Sequence, residues 1–122
     1  MMPSHDPALN ALLLQLLAEL QAYESHIRRL VRESQQQQDV VLFGEPSKSM
    51  DRMRTLAAPI PQLSAPWLMV MISHSELMHD LWRAAKGEAL DLAAHVEDHL
   101  AAVTALGVGC RRLLVQGGSV LH

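Results

Sequence analysis

Cysteine and aromatic residues are both scarce in this chain of 122 residues. The only cysteine, Cys110, cannot form an intramolecular disulfide, and its apolar surroundings indicate a small core residue in a reducing compartment. We therefore expect a cytoplasmic protein. Aromatic residues make up 3% of the chain and apolar residues 49%, so leucine, alanine, methionine and valine must fill the interior. This composition favours helices, because sheets rely on β-branched and aromatic side chains.

Strong charge and long uninterrupted apolar runs are also lacking. A formal net charge of −3 gives no overall attraction to nucleic acids or acidic membranes, so we expect neither as a partner. The apolar N-terminal region has no basic leader, which argues against a signal peptide. Residues 55–75 carry no charge but contain three prolines, so we expect no transmembrane helix. The length predicts one domain over residues 1–122.

A coiled-coil-like apolar pattern begins after Asp6 and Pro7, a pair that favours a helix start. Apolar residues then recur at alternating steps of four and three, which predicts an apolar seam along one helix. In register, the pattern returns to an apolar residue at Val41, and an unbroken helix would have roughly 35 residues. The seam comprises Leu9, Leu13, Leu16, Leu20, Tyr23, Ile27 and Leu30.

The remaining sequence predicts one short and two long helices. We expect a connector at 44–49, a short helix at 50–58 and a second connector at 59–64. A long helix should run from Ser64 to Gly87, and the last from about Glu88 toward Val115. The ends, 1–5 and 116–122, are expected to be disordered. The predicted fold class is an all-α antiparallel helical bundle of three long helices plus one short helix.

Histidines and carboxylates cluster on both sides of Gly87. If Gly87 is the midpoint of a tight antiparallel hairpin, residues whose numbers add up to about 174 lie level with each other. Glu76 and His79 would then face His95 and His99, and each pair shares one helix face. Four nitrogen and oxygen ligands of this kind would suit zinc or another divalent transition metal. One interpretation is therefore a metal-binding helical bundle.

The same residues have a simpler interpretation without a cofactor. Carboxylate-bridged metal bundles repeat a Glu-x-x-His motif on two helices, and here "ELMH" occurs once. On this view His79 and His95 are exposed flanking residues, and His74 and His99 form local hydrogen bonds.

The main functional hypothesis is a non-enzymatic protein that acts through association. Leu12, Leu14 and Leu17 add apolar surface beside the seam, more than one antiparallel neighbour could cover. We expect a homodimer or a complex with a helix of another protein. The predicted interface comprises Leu9, Leu12, Leu13, Leu16, Leu17, Leu20, Tyr23, Ile27 and Leu30.

Overall fold

The computed structural model describes residues 6–34 and 44–119, which contain four α-helices and no strand. The helices are α1 (Pro7–Ser34), α2 (Gly44–Ala57), α3 (Ser64–Ala85) and α4 (Leu92–Ser119). A short 3-10 helix, Pro61–Leu63, precedes α3. The all-α bundle of three long helices and one short helix is thereby confirmed.

Aspartates begin two of the helices. Asp6 Oδ1 accepts hydrogen bonds from the backbone N–H groups of Ala8, at 2.9 Å, and Leu9, at 3.3 Å. Asp91 Oδ1 accepts one from the N–H of Ala94 at 3.1 Å. Each carboxylate thus satisfies amides that have no partner within the first turn. The cap at Asp91 also explains why α4 begins at Leu92 and not near Glu88, where we predicted its start.

The predicted connector at 44–49 is wrong, because α2 already begins at Gly44. Pro46 is compatible with this start, since a first-turn residue needs no N–H donor. The predicted connector at 59–64 is a turn followed by the 3-10 helix, and α3 begins at Ser64 as expected. The C-terminal segment is helical up to Ser119, where we had predicted disorder from residue 116. Residues 1–5, 35–43 and 120–122, including the predicted continuation of α1 to Val41, lie outside the described residues.

The helices pack so that α1 contacts α2 and α4, and α4 contacts α1 and α3. Hydrogen bonds join Ser73 to His99 and Asp80 to His95. Residue numbers therefore fall on α4 as they rise on α3, which is the antiparallel arrangement predicted around Gly87.

The seam of α1 forms the centre of the bundle core. Leu9, Leu12 and Leu17 are partly buried against this core, whereas Leu14 is 58% exposed. Because α1 has two helical neighbours and not one, the chain itself covers most of the apolar surface from which we predicted an interface, with Leu14 as an exception. The seam residues therefore do not form an open surface of this chain, and an interface with a second chain through α1 stays a prediction. The buried seam residues are Leu13, Leu16, Leu20, Tyr23, Ile27 and Leu30.

Two glycines of α4 give a matched stability test. A Cβ at Gly107 would make only ordinary contacts, the nearest at 3.5 Å, whereas one at Gly109 would lie 3.1 Å from Leu63 Cδ2. Leu63 is buried and has little room to move. We expect Gly107→Ala to raise the free energy of unfolding by about 0.5–1 kcal/mol, because alanine favours the helix. Gly109→Ala should lower it, and urea unfolding of both variants would measure the difference. Equal changes in the free energy of unfolding for the two variants would contradict a tight contact between position 109 and Leu63.

Candidate functional site

The α3–α4 hairpin turns at Gly87, which has a backbone φ of +94°. Glycine adopts this left-handed conformation without a Cβ clash, as is common just after a helix. The N–H of Gly87 donates to the carbonyl of Ala84 at 3.0 Å and closes the end of α3. The turn brings the polar parts of α3 and α4 side by side.

A cleft of about 400 Å³ lies between these polar parts. The four residues that the sequence brought together, Glu76, His79, His95 and His99, all line it. The other lining residues are Ser73, Leu77, Asp80 and Asp98.

Asp80 and His95 form a linked pair on the cleft wall. Asp80 is only 7% exposed, and its Oδ2 is hydrogen-bonded to His95 Nδ1. Arg83 lies 3.7 Å from the other carboxylate oxygen of Asp80 and also donates two hydrogen bonds to Glu88 at 3.0 Å. The Arg83 guanidinium lowers the pKa of the Glu88 carboxyl by hydrogen bonding. In a neutral His95 ring whose Nδ1–H donates to Asp80, Nε2 is a hydrogen-bond acceptor.

Tyr23, His74, His99 and Ser73 form a buried network behind the cleft. The Tyr23 hydroxyl lies 2.6 Å from His74 Nδ1 and 2.5 Å from His99 Nε2. His99 Nδ1 lies 2.5 Å from Ser73 Oγ, which donates to the carbonyl of Val70 at 3.3 Å. The network joins α1, α3 and α4.

One assignment of protons to neutral rings satisfies all four hydrogen bonds. The His74 Nδ1–H donates to the Tyr23 oxygen, and the Tyr23 O–H donates to His99 Nε2. His99 then donates through Nδ1–H to Ser73, whose hydroxyl donates to Val70. The opposite tautomer of His99 would turn the Ser73 hydroxyl away from Val70, so the first assignment makes fuller use of the donors.

Burial keeps this network uncharged. It lowers the pKa of His99 to about 4, with a smaller lowering from the nearby His74. Burial also lowers the pKa of His74 and raises that of the Tyr23 hydroxyl. In each case a charge would lose its hydration inside the bundle. Burial likewise raises the pKa of Cys110 to about 11, so its thiol is protonated and unreactive at neutral pH.

The predicted metal site is not assembled. Within residues 6–34 and 44–119, no three His, Cys, Asp or Glu side chains could hold a metal ion. Both ring nitrogens of His99 already have partners on Tyr23 and Ser73. His79 stacks on Trp82, with ring centroids 5.8 Å apart, and Lys86 Nζ lies 3.9 Å from the Trp82 ring centroid. His74 and His99 form hydrogen bonds, but with residues of other helices and not locally as expected. His95 is partly buried and paired, where we expected an exposed residue.

Sequence reasoning missed two residues of this region, Asp80 and Tyr23. Asp80 lies level with His95 by the same hairpin register that we used for the other residues, so that signal was present. Tyr23 was assigned to the apolar seam, and its burial is correct. Its hydroxyl partners come from two other helices, and a single-helix pattern carries no sign of them.

Farther from Gly87, the hairpin has a stretch without Asp, Glu, Lys or Arg, which ends on α4 before Arg111 and Arg112. We define this uncharged half as residues 64–75 of α3 and 100–110 of α4. The Ser73–His99 bond places the two segments beside each other. The exposed side chains of α3 here include Leu68, Met69 and Ile72, at 50%, 56% and 46% exposure. Those of α4 are Ala101, Thr104, Ala105 and Val108.

No protein-family model, curated protein or solved structure matches the chain. The described helices include none that combines the length and apolar character needed to cross a membrane. The fold and the two halves of the hairpin are therefore the basis for a functional proposal: they define a four-helix bundle with a polar cleft near the turn and an uncharged surface away from it.

Proposed function

We propose that the protein acts by association and forms a homodimer through the uncharged half of the α3–α4 hairpin. The observation that carries this proposal is the group of half-exposed apolar side chains Leu68, Met69 and Ile72 on one face of α3. Burial of such a face would remove apolar surface from water, and exposed apolar patches are typical of interaction sites.

The charge pattern favours a second copy as the partner. A twofold dimer brings the same surface of each subunit together, so any charge there would meet a like charge. The uncharged half avoids this repulsion. Other exposed helix faces carry ion pairs, such as Glu24 with Arg28 and Asp51 with Arg54. A contact formed by three turns of two helices is small, so we expect a weak or transient dimer.

The chemistry of the buried groups supports association over catalysis. The low pKa of His99 makes it a weak base, and its two nitrogens already have partners. The Cys110 thiol is buried and protonated. Neither residue therefore offers a general base or an activated nucleophile at neutral pH.

Sedimentation equilibrium of matched variants would test the dimer. Ile72→Glu should give a monomer over a concentration range from about 1 to 500 µM in which the parent protein dimerises, because it places a charge in the apolar contact. Leu14→Glu is the control: Leu14 is as exposed as Met69 but lies on α1. It should leave dimerisation unchanged.

Three outcomes would oppose the proposal. A parent protein that is monomeric throughout this range would exclude self-association. If the protein instead purifies with a different protein, and Ile72→Glu abolishes that complex, the surface binds another partner and not a second copy. Dissociation by Leu14→Glu and not by Ile72→Glu would place the interface on α1.

A further inference from the structure

The α3–α4 cleft has unused hydrogen-bonding capacity, and most of it consists of acceptors. Glu76 and Asp98 line the cleft, and within the described parts of the chain neither side chain has a hydrogen bond or an ion pair. A carboxylate accepts hydrogen bonds and donates none. His95 Nε2 adds a third acceptor when the ring is neutral and its Nδ1–H donates to Asp80.

Most donors around the cleft are already in use; within its lining the exception is one ring N–H of His79, which stacks on Trp82. The Ser73 hydroxyl donates to the carbonyl of Val70, and both nitrogens of His99 have partners. Arg83 is held between Asp80 and Glu88. Lys86 lies over the ring of Trp82. The two unpaired carboxylates, Glu76 and Asp98, outweigh this single donor, so a molecule that complements the cleft must supply donors and positive charge.

From this imbalance we propose that the cleft binds a small organic cation with a primary ammonium or guanidinium group. Glu76 and Asp98 would pair with its charge, and His95 Nε2 would accept a further hydrogen bond. The volume of about 400 Å³ falls within the range of small-molecule sites and far exceeds the volume of a bare ion. An organic cation also needs no convergence of three ligands, which the described residues do not provide.

Isothermal titration calorimetry with 1,4-diaminobutane at low ionic strength and about pH 7.5 tests this site. We expect one molecule to bind per chain. Glu76→Gln and Asp98→Asn should each weaken binding about tenfold, because each removes a charge partner. Both residues are exposed, so these variants should keep the fold. Glu97→Gln removes the same charge from an exposed position that does not line the cleft, and it should keep the parent affinity within about twofold.

Four other results would contradict the proposed cation site. The first is that 1,4-diaminobutane does not bind at all. Equal weakening by Glu97→Gln and Asp98→Asn would show general attraction to a negative surface. Equal affinity for the neutral 1,4-butanediol would show that charge is not recognised, and binding of zinc chloride but not of the diamine would indicate a metal site. Ile72→Glu should keep the diamine affinity, so failure of the dimer and failure of this site can be told apart.

Discussion

Tyr23→Phe should lower the free energy of unfolding by about 2–4 kcal/mol, a loss much larger than one exposed hydrogen bond would cause. The hydroxyl is the partner of both His74 Nδ1 and His99 Nε2, and His99 is 1% exposed. Its removal leaves two ring nitrogens without that partner inside the bundle. A buried polar group that loses its partner costs about 1–3 kcal/mol. Urea unfolding at one protein concentration and about pH 7.5 would measure the loss.

A double variant separates the hydrogen bond from simple packing. Replacement of both partners by apolar groups removes the unsatisfied nitrogen of His99, so Tyr23→Phe with His99→Leu should lose less than the sum of the two single variants. Strict additivity, or a loss below about 0.5 kcal/mol for Tyr23→Phe alone, would contradict the role of the network in stability.

Acidification should lower the stability by about 3 kcal/mol between pH 6.5 and pH 4. The folded-state pKa of His99, about 4, lies below the ordinary histidine value of 6.5. Well above pH 6.5, His99 is neutral in both the folded and the unfolded protein, so its contribution to stability does not change. As the pH falls, the unfolded chain binds the proton first, so stability falls until the pH reaches the folded pKa. His74, whose pKa is also lowered, acts in the same direction.

Urea unfolding at several pH values, with two histidine variants, checks this assignment. His99→Gln should flatten the dependence between pH 6.5 and about 5, whereas His79→Gln should keep it, because His79 is exposed. Carboxyls with a lowered pKa, such as Glu19 and Glu88, lose their contribution to stability only as the pH falls through and below the ordinary glutamate value of 4.5. The upper part of the window therefore reports on histidine. The same slope in His99→Gln and the parent protein would overturn the assignment.

The sequence predicted the parts of this structure that depend on local spacing. The period of α1 identified Leu13, Leu16 and the rest of the seam as one apolar face, and that face is buried. The position of Gly87 set the register of the hairpin and brought Glu76 and His95 to one cleft. Both predictions follow from helix geometry and one turn residue.

Features that depend on several helices could not be predicted in this way. The burial of the α1 seam within one chain depends on how many neighbours α1 has, and no pattern within α1 encodes that number. The sequence predicted His99 as a metal ligand because the partners of its two nitrogens, Tyr23 and Ser73, come from two other helices and leave no sign in the pattern of α4. The start of α2 was missed for a local reason: residues 44–49 were expected to form a connector, although Pro46 is equally suited to the first turn of a helix.

The buried network of Tyr23, His74, His99 and Ser73 can accept one additional proton without losing a hydrogen bond, but not two. If His99 became an imidazolium, it could donate to Tyr23 and Ser73 together, and the phenol could rotate its hydrogen toward His74 Nδ1. This needs the His74 proton to move from Nδ1 to Nε2, so that Nδ1 can accept. With that change of tautomer every bond of the network would survive, so acid acts on it through lost hydration and not through broken bonds. A second proton, on His74, would direct two N–H groups at the same phenolic oxygen. The point where α1, α3 and α4 meet can therefore hold one positive charge but not two.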